Sequence, residues 1–451
     1  MRKYNEVNKI GKTLHQNEFP KIERAYLVGV HVRGTEAALD LDNSLTELAL
    51  LAETAGMEVL GQKTQTLNSI VPGTFIGTGK LEEIQQIVND LDVEAVIFDD
   101  ELSPRHQREL SKAFGNDIKL LDRSALILDI FAQHASTKEG SLQVELAQYE
   151  YRLPRLTRQW THLARQAGGS AAGSGVGGVG LRGPGETQLE VDRREISRKI
   201  DRIKRDLERV RVHRRQHRQQ RQKTGVPVIS LVGYTNAGKS TLLNRVTNAS
   251  VYARDQLFAT LDPTTRRMDL PSGRQVLLTD TVGFIQKLPT TLIAAFRATL
   301  EEITEASLLL HVVDISHASV AAHIEVVEDT LAEIDVPPIP RILVWNKCDL
   351  TEDSGIPTFA DSELYAAQVA VSAVTGEGIE DLLSAIERVF SKRLVRMSVQ
   401  IPFQRGDLVA KLYEVGRVLH QESDVDGTLL DVEIPATQEA YFADYLADSS
   451  D

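Results

Sequence analysis

The hydrophobic pattern of residues 21–133 alternates between short apolar runs and apolar residues at helical spacing. The runs predict strands and lie at residues 26–30, 57–60 and 95–98. Between and after them, leucine, isoleucine and valine recur every three or four residues, as on one face of a helix. Ser103 before Pro104 marks a further helix start, because serine caps a helix N-terminus and proline suits its first turn. Strands alternating with helices predict a small α/β subdomain with parallel strands.

Residues 134–225 carry two apolar seams with the alternating spacing of heptads. The seams comprise Leu142, Leu146, Tyr149, Leu153, Leu156, Trp160 and Leu163, and then Ile196, Ile200, Ile203, Leu207 and Val210. Two such segments close in sequence predict an antiparallel helical hairpin, kinked at Pro154. The connection at residues 164–185 holds nine glycines in 22 residues, whereas helix connections usually take about 2–8 residues. Such a loop is either functional or a disordered connection, and beside a basic hairpin we favour function.

The second half of the chain changes to strands that alternate with glycine-rich turns and helices. Apolar strands are predicted at residues 228–232, 276–278, 308–313, 342–344 and 369–371. This pattern predicts a doubly wound α/β domain over residues 226–393. Residues 394–451 predict a small acidic α+β domain. Its expected elements are strands at residues 397–401 and 429–434 and one helix at residues 406–420.

The composition is that of a soluble globular chain, with 42% hydrophobic and 25% charged residues among 451. No run approaches the ~20 consecutive apolar residues that a transmembrane helix needs. Residues 1–20 predict a flexible polar arm without a signal-peptide core. The single cysteine, Cys348, excludes an internal disulfide framework and a cysteine-built zinc site. These features predict a cytoplasmic protein with no stable membrane insertion.

The net charge of −13 conceals a basic segment. Residues 151–225 hold 19 Lys and Arg against 7 Asp and Glu, while residues 421–451 hold nine acids and no Lys or Arg. A basic block within an acidic protein indicates nucleic acid as a partner, and the alternative is a solvated helical face. The candidate RNA-binding residues are Arg165, Arg182, Arg211, Arg214, Arg215 and Arg218.

Residues 233–240, Gly-Tyr-Thr-Asn-Ala-Gly-Lys-Ser, match the phosphate-binding loop pattern of two glycines, lysine and serine. A predicted strand precedes the loop and a helix follows it, as the pattern requires. The glycines let backbone N–H groups surround a phosphate, and the helix N-terminus adds positive potential. Lys239 would reach the β- and γ-phosphates, and the Ser240 hydroxyl would bind Mg²⁺.

Three further motifs follow the phosphate loop along the chain, in the order that a guanine-nucleotide site requires. Two of them lie at the ends of predicted strands. Asp280 begins Asp-Thr-Val-Gly, in which its carboxylate would hold Mg²⁺ through water and the Gly283 N–H would meet the γ-phosphate. Asp349 ends Asn-Lys-Cys-Asp, and its carboxylate can accept hydrogen bonds from guanine N1 and N2, a donor pair that adenine lacks. Thr260 is the candidate switch I threonine, with its hydroxyl on Mg²⁺ and its N–H on the γ-phosphate. Each piece alone is ordinary turn chemistry, and together they predict a GTPase.

Two positions refine the expected chemistry. In many signalling GTPases a glutamine after Asp-x-x-Gly orients the attacking water. Here that position is Phe284, which has no hydrogen-bonding group, so we expect slow intrinsic hydrolysis unless another group positions the water. Asn236 resembles the asparagine of GTPases that bind K⁺ beside the phosphates, and the alternative is a turn residue.

The predicted site therefore consists of three sets of residues. The set expected to act in hydrolysis is Lys239, Thr260, Gly283 and Asn236. The set expected to hold Mg²⁺ is Ser240 and Thr260, with Asp280 through water. The set expected to bind GTP is Gly233, Tyr234, Thr235, Asn236, Ala237, Gly238, Lys239, Ser240, Phe258, Ala259, Thr260, Leu261, Asp262, Asp280, Thr281, Val282, Gly283, Asn346, Lys347, Cys348, Asp349, Ser372, Ala373 and Val374. In the last group, a backbone N–H of Ser372 or Ala373 would meet guanine O6.

A glycine-rich turn at residues 75–80, Phe-Ile-Gly-Thr-Gly-Lys, precedes a predicted helix. It lacks the full phosphate-loop pattern, so a second nucleotide site there is the weaker alternative. Such a site would make the chain an ATP-dependent RNA-remodelling enzyme.

Several segments resemble one known family. They include residues 75–80, 128–132, 144–148, 160–163 and 180–190, and then residues 233–240, 255–264 and 280–284. On these motifs the chain resembles HflX, the ribosome-associated GTPase family, over about residues 26–389. The run Gly-Leu-Arg-Gly-Pro-Gly-Glu-Thr-Gln-Leu-Glu at residues 180–190 is specific to that family, whereas the phosphate loop is not. Residues 170–179 lengthen the glycine loop beyond the family's usual form, and the tail after Ser398 matches weakly.

The resemblance implies an N-terminal α/β subdomain, a helical hairpin, a GTPase domain and a small C-terminal domain. It implies a factor that binds GTP, GDP and Mg²⁺ and also the large ribosomal subunit and its rRNA, with the hairpin loop reaching toward the peptidyl-transferase centre. It further implies GTP-dependent splitting of stalled or idle ribosomes under stress. Because Phe284 cannot orient the attacking water, we expect ribosomes to raise the slow intrinsic rate. We expect a monomer. The leading alternative is a GTP-gated large-subunit binding or assembly factor without splitting activity.

Overall fold

The computed structural model describes most of the chain in two compact units. Its description leaves out residues 1–21, 35–39, 116, 157–187, 225, 248–256, 259, 289–301, 335, 352–361, 392–393, 426, 436–437 and 448–451. The first unit comprises Met1–Arg33 and Ser44–Asp122, and the second comprises Gly34–Asn43 and Arg123–Asp451. The predicted arm, glycine loop, Arg165, Arg182 and Ala259, and the side chains of Arg214, Arg215 and Arg218, lie outside the described residues.

The first unit contains a four-stranded parallel sheet in the order β2-β1-β3-β4. Its strands are β1 Glu23–Val32, β2 Met57–Leu67, β3 Ala95–Phe98 and β4 Lys119–Asp122, and the helices of this region are α1 Leu41–Thr54, α2 Thr78–Asp90 and α3 Pro104–Phe114. The three predicted strands and their parallel pairing are confirmed, and β4 was not predicted. The Ser103 hydroxyl accepts a hydrogen bond from the His106 backbone N–H at 3.2 Å, which confirms the predicted cap of α3. The unit ends at Asp122, before the boundary predicted at residue 133.

The helical region begins with α4 Arg123–His134 and α5 Lys138–Arg152, and continues with the long helix α6 Gln188–Thr224. The predicted seams meet in one apolar cluster of Leu142, Leu146, Tyr149, Leu153, Ile196, Ile200, Ile203 and Leu207. Trp160 and Leu163 lie outside the described residues. The kink predicted at Pro154 takes another form. α5 ends at Arg152, and Pro154 lies in a 3₁₀ turn at Leu153–Arg155, because proline cannot donate the next helical hydrogen bond.

The next domain is a six-stranded sheet in the order β10-β9-β8-β5-β7-β6. Its strands are β5 Val228–Val232, β6 Thr264–Asp269, β7 Gln275–Asp280, β8 Leu308–Asp314, β9 Arg341–Asn346 and β10 Ala367–Ala370, with helices α7 Lys239–Thr247, α8 Val320–Glu333 and α9 Ile379–Ser391. All pairs are parallel except β6 with β7. Strand β8 is almost wholly buried, as expected of a central parallel strand. The predicted doubly wound α/β domain is confirmed, with the antiparallel edge strand β6 added.

The C-terminal domain is a three-stranded antiparallel sheet in the order β11-β13-β12. Its elements are β11 Leu394–Ile401, α10 Gly406–Val415, β12 Arg417–Asp424, β13 Gly427–Pro435 and the short helix α11 Glu439–Phe442. The helix predicted at residues 406–420 was wrong at its end, because Gly416 terminates it and the chain continues as β12. A Cβ at Gly416 would lie 2.6 Å from Ile434 Cγ2, so only glycine lets the backbone pass there.

No helix among the described residues is long and apolar enough to cross a membrane.

Candidate nucleotide-binding site

The phosphate loop joins β5 to α7 at the carboxyl edge of the six-stranded sheet. Lys239 begins α7, and its Nζ donates to the carbonyl oxygens of Gly233 and Tyr234 at 3.0 and 2.7 Å. Burial lowers the pKa of Lys239 to about 8, with Asp280 acting in the opposite direction. Gly238 has φ +92°, and a Cβ there would lie 2.2 Å from the Asn346 side-chain nitrogen. The loop therefore needs glycine at this position for both conformation and space.

The residues predicted to hold Mg²⁺ converge. Ser240 Oγ donates to Asp280 Oδ2 at 2.6 Å, Thr260 Oγ1 donates to the same oxygen at 2.9 Å, and the two hydroxyls lie 2.9 Å apart. Asp280 is fully buried, and its Oδ1 has no hydrogen-bond partner among the described residues. Burial raises the pKa of Asp280. Two hydroxyls and a buried carboxylate with a free oxygen fit a Mg²⁺ ion, which prefers oxygen ligands.

The segment after Asp280 passes close to the phosphate loop. A Cβ on Gly283 would lie 2.9 Å from Thr235 Cα and 3.0 Å from Lys239 Nζ, so its backbone approaches where a side chain could not. The Phe284 carbonyl accepts from the Thr235 N–H at 2.7 Å, and the Phe284 N–H donates to Gly233 at 3.1 Å. The Phe284 side chain is buried. The residue after Gly283, where many signalling GTPases carry a water-orienting glutamine, is therefore a buried apolar side chain.

The motif at residues 346–349 connects two loops at the sheet edge, the phosphate loop and the loop after β10. Asn346 donates from Nδ2 to the Ala237 carbonyl at 2.8 Å and accepts from the Ala373 N–H at 3.0 Å. It thereby links the phosphate loop to the loop after β10. Lys347 has φ +63° and pairs with Asp314 at 2.7 Å. The Asp349 side chain is exposed, as a carboxylate that is to receive a base must be.

The switch I segment, residues 257–262, connects the candidate Mg²⁺ residues to the helical region. The Phe258 ring is buried against the Phe131 ring of α4, with centroids 4.6 Å apart. The carboxylate of Asp262 accepts hydrogen bonds from Ser136 and Thr137, just before α5. Burial raises the pKa of Asp262, but the hydrogen bonds from Thr137 and Ser136 outweigh it and the net pKa is lowered.

Ser136, Thr137 and Phe131 are absent from the site predicted from the sequence. Ser-Thr before an apolar helical pattern is a helix-cap signal that the sequence does carry. Nothing local indicates that Asp262 is its partner, because the two lie 125 residues apart in sequence.

A histidine on α8 packs against the phosphate loop. The His323 ring stacks on the Tyr234 ring at 3.8 Å with an interplanar angle of 8°. The Tyr234 hydroxyl accepts from the Gln286 N–H at 2.9 Å, beyond Phe284. Burial, reinforced by nearby His317, lowers the pKa of His323 to about 4. This stack, also absent from the sequence-based site, brings α8 into contact with the phosphate loop through the Tyr234 ring.

The glycine-rich turn at residues 75–80 uses its polar groups within the first unit. The Gly77 N–H donates to the Gln65 side chain at 3.0 Å, and Lys80 pairs with Glu83 at 2.6 Å. These contacts favour a structural turn over a second phosphate site.

The described part of α6 presents exposed arginines. Arg202 and Arg209 are 81% and 79% exposed and both face Asp206. Arg211 lies 3.7 Å from Glu208. Exposed ion pairs of this kind contribute little to stability, so these arginines are available to a polyanionic partner.

The arrangement defines a class of protein. A phosphate loop, a Mg²⁺-type hydroxyl and carboxylate cluster, a switch segment and an Asn-Lys-x-Asp motif at one sheet edge define a P-loop GTPase. Four family models match: GTP-binding GTPase N-terminal at residues 42–132, GTP-binding GTPase Middle Region at 134–221, 50S ribosome-binding GTPase at 228–347, and HflX C-terminal domain at 360–446.

Relatives at high identity extend over most of the chain. The GTPase HflX of Caldanaerobacter subterraneus subsp. tengcongensis is 45% identical over 412 residues, which are 91% of each chain. The GTPase HflX of Escherichia coli is 44% identical over 432 residues, which are 94% of this chain and 98% of that protein. The chain belongs to the HflX family of GTPases, which confirms the predicted family. Among solved structures, a GTP-binding protein from Sulfolobus solfataricus in complex with GDP is 22% identical, covers 82% of this chain and 99% of its own, and has a TM-score of 0.43.

Proposed function

We propose that this GTPase binds the large ribosomal subunit and couples GTP binding and hydrolysis to dissociation of stalled or idle ribosomes. The observation that carries the proposal is the switch I segment, which touches both the Mg²⁺-type cluster and the helical region. That region continues into the basic helix α6, the chain's candidate rRNA-binding element. The matching family model described as a 50S ribosome-binding GTPase supports the choice of partner.

In the proposed reaction, the chain's residues position GTP and an attacking water. Lys239 would neutralise the β- and γ-phosphates, and the Gly283 N–H would hold the γ-phosphate. Ser240 and Thr260 would bind Mg²⁺ directly, and Asp280 would hold it through water. Mg²⁺, when bound, would neutralise charge that develops on the phosphate oxygens. Asp349 would select guanine by accepting from its N1 and N2.

We infer slow turnover in the free chain, because the Phe284 side chain is buried and cannot orient water. Binding to the ribosome would order the switch segments and raise the rate by positioning. Asn236 is exposed with φ +59°, a conformation that asparagine adopts in turns, so a role in binding K⁺ rests on its place in the motif alone. Hydrolysis measured in K⁺ and in Na⁺, with Asn236→Ala as the variant, distinguishes the two.

A second candidate function is GTP-gated binding or assembly of the large subunit without splitting. The same contacts between the switch and the helical region would serve it, because they make binding depend on nucleotide whether or not subunits separate. The test is sedimentation of intact ribosomes with the chain and GTP, a non-hydrolysable GTP analogue or GDP. Release of free subunits with GTP supports splitting, whereas co-sedimentation with undivided ribosomes supports the alternative.

Two sets of variants sharpen this test. Deleting residues 168–180 should abolish splitting and leave basal GTP hydrolysis intact, because the loop is remote in sequence from the nucleotide motifs. Replacing Arg211, Arg214, Arg215 and Arg218 with Ala should weaken ribosome binding and reduce its salt dependence, because fewer phosphate counterions are released. Splitting at the parent rate after the loop deletion would mean that the glycine loop is only a connection.

A further inference from the structure

The Asp262 carboxylate joins the switch I segment to the helical module, defined here as α4 and α5. Its Oδ2 accepts from the backbone N–H groups of Ser136 and Thr137 at 2.9 and 2.8 Å, and from the Ser136 hydroxyl at 2.8 Å. Its Oδ1 accepts from the Thr137 hydroxyl. Both oxygens are therefore engaged, and hydrogen bonds to an ionised acceptor are the strong kind.

These contacts lie at the N-terminus of α5, where the Asp262 carboxylate packs closely against the first turn of the helix. Thr137 is the N-cap residue of α5, and its hydroxyl accepts from the Gly140 N–H at 3.0 Å. A Cβ at Gly140 would lie 2.5 Å from Asp262 Oδ1. Glycine in the first turn of a helix is thus explained by the approach of the carboxylate rather than by helix geometry.

The same segment reaches the candidate Mg²⁺ cluster between its two contacts with the helical module. Phe258 packs on Phe131 and Asp262 binds the start of α5, while Thr260 between them bonds to Asp280. Thr260 cannot shift far unless one of the flanking contacts yields. The position of the threonine hydroxyl is therefore tied to the docking of α5.

The segment after Asp280 has a contact of the same kind. The Gln286 carbonyl accepts from the Arg123 guanidinium at 3.4 Å, at the start of α4, and the Arg123 side chain is buried. The switch I segment and the segment after Asp280 thus both contact the helical module.

We propose that Asp262 is a positioning residue that holds Thr260 in its Mg²⁺-binding place by anchoring the switch I segment to Ser136 and Thr137. Its carboxylate is bonded to the helical module through Ser136 and Thr137. The switch I segment can then hold Thr260 in its GTP-binding position only while α5 is docked on it. Because linkage is reciprocal, a partner that displaces α5 weakens GTP binding by the factor by which GTP strengthens docking. This inference rests on GTP hydrolysis by the chain but not on ribosome binding.

The first test compares Asp262→Ala and Asp262→Asn with Asp269→Asn, an exposed acid on β6. Asp262→Ala should lower kcat for GTP by about tenfold to a hundredfold, the scale of a misplaced catalytic group. It should also raise the Mg²⁺ concentration that half-saturates hydrolysis and leave GDP affinity unchanged, because Thr260 serves only the GTP state. Asp262→Asn, which keeps one acceptor oxygen, should fall between the parent and Asp262→Ala. Asp269→Asn should match the parent.

The second test perturbs the contact from α5. Gly140→Ala ordinarily stabilises a helix, but here the new Cβ displaces the carboxylate. It should lower kcat as Asp262→Ala does, and its thermal midpoint should not fall below that of Asp262→Ala, because the gain in helix propensity offsets part of the lost hydrogen bonds. In the Asp262→Ala background neither Gly140→Ala nor Ser136→Ala should lower kcat further, because effects that act through one contact are not additive.

A third measurement needs no variant and covers the case in which Asp262→Ala fails to fold. Hydrogen exchange of the parent chain at residues 136–143 should be slower with a non-hydrolysable GTP analogue than with GDP. Equal exchange in both nucleotides would overturn the proposal, as would parent-like kcat and Mg²⁺ dependence in a folded Asp262→Ala. A parent that hydrolyses no GTP would instead defeat the proposed function, and the exchange comparison would still decide the role of Asp262.

Discussion

We expect the burial of His323 against Tyr234 to make the stability of the GTPase domain depend on pH. The ring is 8% exposed, and its pKa is lowered from 6.5 to about 4 by burial and by His317, with Asp314 opposing. As the pH falls, the His323 side chain therefore binds a proton at a higher pH in the unfolded chain than in the folded chain. Stabilisation that is fully present above pH 6.5 is lost as the pH falls from 6.5 to about 4.

The size of this effect follows from the two pKa values. At about 1.4 kcal/mol per pKa unit, the difference corresponds to a loss of about 3.5 kcal/mol across the window. His323→Phe keeps a ring that can stack on Tyr234 but has no proton to bind, so that part of the pH dependence should disappear. A residual slope of the same sign should remain from buried His311, whose pKa burial also lowers.

The assay follows denaturant unfolding of the GTPase domain through Trp345, which is buried in β9. Replacing the only other tryptophan, Trp160, with Phe makes the signal specific to that domain. The free energy of unfolding is measured at pH values from about 7.5 to about 4 for His323→Phe and for a control, His31→Gln, on the exposed side of β1. If the parent and His323→Phe lose stability in parallel, the stack does not hold the histidine neutral and the reasoning fails.

Three further predictions concern nucleotide choice, the phosphate loop and the helix pair. Asp349→Asn should weaken GTP binding and favour xanthosine nucleotides, whose carbonyl accepts from the new amide; unchanged GTP affinity would contradict the guanine assignment. Gly238→Ala should abolish nucleotide binding, because its Cβ would collide with Asn346, whereas Gly273→Ala, which has positive φ but open space, should retain it in the same titration. Ile203→Ala should cost about 2–4 kcal/mol of unfolding free energy, because the side chain is buried between α5 and α6. A loss well below that range would mean that the pair contributes little to the fold.

The elements that could be predicted from the sequence are those with an apolar signature. Strands β3 and β8 are buried along their length, so they appear in the sequence as continuous apolar runs. The two heptad seams appear as apolar residues at helical spacing, because only one face of each helix is buried. Strands β6 and β12 could not be found in this way, because edge strands are polar and mostly exposed. Their pairing depends on the neighbouring strand and not on their own pattern.

The candidate site divides in the same manner. Lys239, Ser240 and Asp349 belong to motifs whose spacing is local, so the sequence identifies them directly. Asp262 was grouped with the GTP-binding residues as part of the segment 258–262 that contains Thr260, and its carboxylate accepts hydrogen bonds at the start of α5. The contact joins distant parts of the chain, and only the folded arrangement reveals it.

The length of α6 has a mechanical consequence. The helix has 37 residues, and its apolar seam with α5 extends from Ile196 to Leu207. At 1.5 Å per residue, about 12 Å of helix precede the seam and about 25 Å follow it, up to the strand that leads into the phosphate loop. A tilt of the helix about the middle of that seam would move the Thr224 end, which leads into β5, about 1.7 times as far as the Gln188 end, because the two ends lie about 34 Å and about 20 Å from that point.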